Sequence, residues 1–131
     1  MAFRKLAALV ATSFLALSGC SKEPWWEGGL YSVKAERGGF AIVKILKVDP
    51  AGVHIRLYSN HFAQRPSEID ASALYMAGVA RKPNEDLGMG HLPLSLASFS
   101  GWRPKLIKVV SVENAELEGY EMWRQAKGGY F

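Results

Sequence analysis

Thiol chemistry is almost absent from this chain. Its 131 residues hold one cysteine, Cys20, so an intramolecular disulfide is excluded and a thiolate cluster for zinc cannot form. After residue 20 no apolar run approaches the ~18 residues that a membrane-spanning helix needs. Internal repeats and low-complexity tracts are missing, which excludes solenoid and propeller arrays. There is no Gly-x-Ser-x-Gly elbow and no His-Glu-x-x-His pair. Gly88-Met89-Gly90-His91 lacks the Gly-Lys-[Ser/Thr] ending of a phosphate loop. The carboxylates offer no catalytic pair: Glu85-Asp86 is a loop dipeptide, and Glu113, Glu116, Glu118 and Glu121 read as charges on a helix face. No residue is assigned a catalytic role from sequence.

What is present begins at the amino terminus. Arg4 and Lys5 precede an uncharged, mostly apolar stretch of 12 residues, Leu6 to Leu17, and Leu17-Ser18-Gly19-Cys20 closes it. Twelve residues at ~1.5 Å rise make ~18 Å of helix, short of the ~30 Å hydrocarbon core, so the segment reads as a targeting signal. These residues resemble a bacterial lipoprotein signal, whose Leu-[Ala/Ser]-[Gly/Ala]-Cys lipobox is matched at all four positions. The resemblance implies a diacylglycerol thioether on Cys20, cleavage between Gly19 and Cys20, and acylation of the new amino terminus. It thus implies a signal peptide over 1–19 and a lipidated tether over 20–27. The mature protein is expected to be anchored in the membrane and to face the periplasm or cell exterior. Ser21 stands where many inner-membrane lipoproteins of Gram-negative bacteria carry Asp, which favours the outer membrane over the inner. Apart from this covalent lipid, no cofactor and no metal is expected.

Removing residues 1–19 leaves 112 residues and takes away two of the 16 Lys+Arg, against 12 Asp+Glu, for a net charge near +2. Such a small excess on an exported domain argues against nucleic acid as a partner.

The clearest fold signal lies at 30–58. Leu30 to Glu36 and Phe40 to Asp49 read as strands around Arg37-Gly38-Gly39, and Asp49-Pro50-Ala51-Gly52 is a turn. Val53, Ile55 and Leu57 then alternate with His54, Arg56 and Tyr58, which completes a three-stranded antiparallel meander. Leu74 to Ala80 is expected as a fourth strand, Arg81 to Gly90 as a loop, Ser98 to Pro104 as irregular, and Lys105 to Ser111 as the last strand. A helix is expected over about 112–127, capped by Ser111, with Leu117, Tyr120 and Trp123 on one apolar stripe. The predicted fold is mainly β with a C-terminal helix: one domain over 28–131, a small antiparallel, partly open β-barrel broadly similar to SH3-like or Tudor-like barrels. The alternative is an α+β sheet with one helix packed across it.

Alternation places His54, Arg56 and Tyr58 on one side of a strand, within reach of Lys44 or Lys47, and this side is expected to be an exposed binding face. The three histidines are 7 and 30 residues apart, which is not ligand spacing. Trp25-Trp26 either rests at the lipid headgroups or packs over one end of the domain. The expected function is a lipid-anchored binding or interaction module of the cell envelope. Its partner would be a protein, peptide or cell-wall polymer, in envelope assembly or in protection against an imported toxin. The alternative is a small envelope hydrolase or transferase using a histidine such as His91.

Overall fold

Alternating apolar residues and two tight turns make the first half of the domain a meander. A computed structural model describes residues 25–131; the signal peptide, Cys20 and residues 21–24 of the tether lie outside the described residues. Strands β1 (Gly29–Lys34), β2 (Phe40–Val48) and β3 (Gly52–Phe62) run antiparallel. The β1–β2 turn places Gly38 and Gly39 at φ +95° and +72°, a region that glycine enters without a Cβ penalty. In the next turn the Asp49 N–H donates to the Gly52 carbonyl at 2.8 Å.

Strand β4 (Met89–Ser95) then pairs with β3, helix α1 (Leu96–Gly101) follows, and β5 (Lys105–Val109) pairs with β1. The sheet order is β4-β3-β2-β1-β5. A 3-10 turn at Asn114–Leu117 leads into helix α2 (Glu118–Gln125). The fold is thus mainly β with a C-terminal helix, as expected, in the form of an open five-stranded antiparallel sheet.

Three local readings change. The fourth strand is Met89–Ser95 and not Leu74 to Ala80. Its Pro93 is accommodated because β4 is an edge, where proline costs no ladder bond. Residues 74–80 run beside the end of β3 on a single backbone bond, Ser59 N–H to the Tyr75 carbonyl, and on side-chain bonds: Tyr75 N–H donates to Asn60 Oδ1 and Ala77 N–H to Ser59 Oγ. Part of the expected irregular segment is α1, whose start is capped by the Ser95 hydroxyl on Ser98 N–H. The last helix begins later than Ser111, because the Glu116 carboxylate accepts the Glu113 N–H at 2.9 Å and fixes a 3-10 turn first.

Both faces of the sheet are covered. On the first face Tyr31, Val33, Val43, Ile45, Val53, Ile55 and Leu94 pack beneath Phe99 of α1. Each such apolar side chain contributes about 1.5–3 kcal/mol when fully buried. Trp25 meets Phe99 edge to face at 4.9 Å and so packs over one end of the domain. On the second face Leu30, Ile42 and Tyr58 pack against Ile69, Leu74 and Ile107. Beside that cluster the face is polar, with Lys44, His54 and Arg56.

Candidate functional site

His54, Arg56 and Tyr58 do share one side of β3, but that side is not exposed. His54 is fully buried and Tyr58 is 8% exposed, while Arg56 is half-buried. The alternation sorted these residues onto the right face and could not show that residues 114–131 fold back across it. The rings of Trp123 and Tyr120 stand 4.4 and 4.7 Å from that of His54.

Both nitrogens of His54 are bound. Nε2 lies 2.8 Å from Asp49 Oδ2 and 2.9 Å from the Tyr130 hydroxyl, which itself donates to the same Asp49 oxygen. Nδ1 lies 2.9 Å from His91 Nε2. With the neutral His54 ring donating Nε2–H to Asp49, Nδ1 accepts from His91 Nε2–H; these tautomers follow from the network. Burial opposes the charged form of Asp49, but hydrogen bonds from Tyr130 and His54 and the nearby Lys47 charge outweigh it, so its pKa is lowered. Burial and the neighbouring His54 lower the pKa of His91. Burial and the Asp49 carboxylate raise that of Tyr130. The contact is close on the backbone side as well: a Cβ on Gly119 would come within 2.6 Å of His91 Cβ.

One step along the same face, Lys44 is 5% exposed. Its ammonium donates to the Ser111 carbonyl at 2.6 Å and to Glu116 Oε1 at 2.7 Å. Glu116 also faces Arg56 at 3.6 Å, and Arg56 Nε is buried without a partner among the described residues. Burial alone would raise the Glu116 pKa, yet the Glu113 N–H and Lys44 hold it below its usual value. Asp49 and His91 bind opposite nitrogens of one ring, so their donor atoms diverge; among the described residues no group of His, Cys, Asp or Glu is placed to hold a metal.

A mainly apolar concavity lies on the other face. A groove of about 570 Å³ opens at the end of the first core, walled by Val33, Leu57, Leu87, Met89, Leu92 and Trp102. Neither His54 nor His91 lines it. Its size is within the 300–1,000 Å³ typical of ligand pockets. One wall is the 81–88 segment, braced by Asp86, which accepts from Arg37 Nε and meets His61 Nδ1, each at 2.8 Å.

The structure therefore brings His54 and His91 together, 37 residues apart in sequence, and adds partners that sequence reasoning read otherwise. Asp49 read as a turn residue and Glu116 as a helix-face charge. The groove residues carried no signal beyond being apolar. Comparison of the chain with protein-family models, curated proteins and solved structures finds no match.

Proposed function

We propose that the mature protein is a lipid-anchored binding module of the cell envelope, held by Cys20 and taking an apolar segment of its partner into the groove beside Trp102. The observation that carries this reading is the groove itself, an apolar trough left open where the rest of that sheet face is roofed by α1 and Trp25. The polar network of His54 supports it from the other side. Asp49, Tyr130, Trp123 and α2 close over those imidazoles, which suits a brace for the C-terminal segment better than an acid–base group meeting substrate.

Gly101 lines the groove, and a Cβ there meets nothing within 4 Å. Gly101→Trp is expected to fill the trough and leave the melting temperature unchanged. Crosslinking in intact cells should then lose the partner that the parent protein captures. Undiminished capture by the variant sinks the groove as the binding site. Cys20→Ala is expected to move the protein out of the membrane fraction, and its retention there would refute the anchor.

A further inference from the structure

The chain enters the fold at the start of β1, next to the edge strand β5, and the two adjacent tryptophans part there. Trp25 turns inward onto Phe99, whereas Trp26 is 51% exposed. The Trp26 carbonyl accepts the N–H of Gly29, the first residue of β1. Leu106 and Val109 of β5 pair with Tyr31 and Gly29, so both lie on one side of β5, beside this entry point. They are 41% and 52% exposed. A Cβ on Gly29 would meet both the Trp26 carbonyl and Leu106 Cδ1, at 2.9 and 3.2 Å.

β5 is also an edge of the sheet. Lys105 and Lys108 on it are exposed, as is Arg103 just before it, and none of the three makes an ion pair among the described residues. Asp70 and Glu68 lie beside Lys108 towards the second face, and Glu27 is engaged by the Val48 N–H at 3.0 Å.

We propose that the β5 edge, with Trp26, is a docking surface for an anionic lipid bilayer; this rests on the reading of Cys20 as lipid-bearing. Five residues from Cys20 to Trp25 reach at most ~18 Å. The tether enters the sheet at β1, and β5 is the edge strand paired with it, so the β5 edge lies one strand away from that entry. Trp26, Leu106 and Val109 suit the headgroup boundary, where indoles and apolar side chains collect. Lys105 and Lys108 project from the other side of β5, opposite Ser32 and Leu30, so with Arg103 they flank the edge, where the negative surface potential of lipid phosphates attracts such clusters. Contact with the bilayer also keeps an exposed strand edge from pairing with neighbouring chains. With strands ~4.8 Å apart, β4 and the C-terminal residues are held roughly 19 Å further out.

The test uses protein purified from membranes and reconstituted into vesicles of phosphatidylcholine, with or without phosphatidylglycerol, carrying brominated acyl chains. Tryptophan quenching is expected to be stronger with phosphatidylglycerol, to fall by most of its amplitude in Trp26→Phe, and to lose its lipid dependence in Lys105→Glu/Lys108→Glu. Equal quenching in Trp26→Phe and the parent, or in the charge-reversed variant and the parent, overturns the proposal. So does an unquenched Trp26 in a protein that light scattering shows to be a dimer, which assigns the edge to a second copy. Mass spectrometry of the amino-terminal peptide reads Cys20 separately. An unmodified Cys20 removes the anchor, and the quenching of that same protein by phosphatidylglycerol vesicles still decides the surface.

Discussion

Glu116 carries more of the C-terminal segment than its place in a charged helix face implied. One carboxylate accepts from the Glu113 N–H, receives the buried Lys44 ammonium at 2.7 Å and faces Arg56. Removing it leaves a cation in the interior with only the Ser111 carbonyl. Truncating one partner of a buried pair costs about 3–5 kcal/mol, because the other charge stays desolvated. Glu116→Ala is therefore expected to lower stability by about that amount in urea unfolding. Arg124→Ala, which breaks the exposed pair with Glu121, is expected to leave the urea midpoint where it was. A Glu116→Ala midpoint as little changed as that of Arg124→Ala would mean that water reaches Lys44. The alternation of β3 told which residues share a side with Arg56. It could not tell that Glu116, sixty residues on, would neutralise it.

At the scale of elements, α2 and the tail to Phe131 close over β3 and β4 as one strap. Phe131 bonds to β4 through the Pro93 carbonyl and the Ser95 N–H, and Trp123 donates Nε1–H to Gly129. Beneath lies the Asp49–His54–His91–Tyr130 network, faced by Tyr120, with Lys47 over the Tyr120 ring. Asp49 has a lower pKa in the fold than in the unfolded chain. Its contribution is complete above about pH 4 and is lost as pH falls through the folded value. His91 is lowered too, so the folded state favours its neutral form. That contribution is complete above about pH 6.5 and is lost as pH falls towards the folded value. Acid thus loosens the strap in two stages, the imidazole first. Hydrogen-exchange protection of the amides of 120–131 is expected to drop below about pH 6.5 and again below about pH 4. His91→Gln should remove the first drop alone, and protection that stays level down to pH 4 would show that His91 does not titrate in the fold. The element itself was legible in part: the three-residue spacing of Leu117, Tyr120 and Trp123 gave the helix. Its late start was not, since it depends on where Lys44 draws Glu116.

Over the whole molecule, the two apolar clusters lie on opposite faces of one sheet and share its strands. Val43 and Ile45 belong to the first, and Ile42, between Val43 and Ala41 on the same strand, to the second. Neither face keeps its register if the other lets go, because each residue of β2 fixes the side of the next. A single cooperative transition is expected, with tryptophan fluorescence and far-ultraviolet circular dichroism falling together in urea and a slope of roughly 1–3 kcal/mol per molar. Two separated transitions would mean that the face under the C-terminal strap unfolds independently.

Period-two alternation, turn residues and the absence of breakers determined the meander, because strand pairing between chain neighbours is dictated by local sequence. The single cysteine, standing where a lipobox would place it, determined by itself the expectation of an anchor. Only the tertiary structure decided what those strands face. Exposure of the His54 side depended on residues 114–131 crossing it, and the partners of both imidazoles come from a turn, an edge strand and the chain terminus. Edge position likewise decided that Pro93 sits in a strand and that Leu106 and Val109 of β5 are left uncovered. Local sequence records which way a side chain points from its own strand; what arrives to meet it is set by contacts between distant segments, which no periodicity encodes.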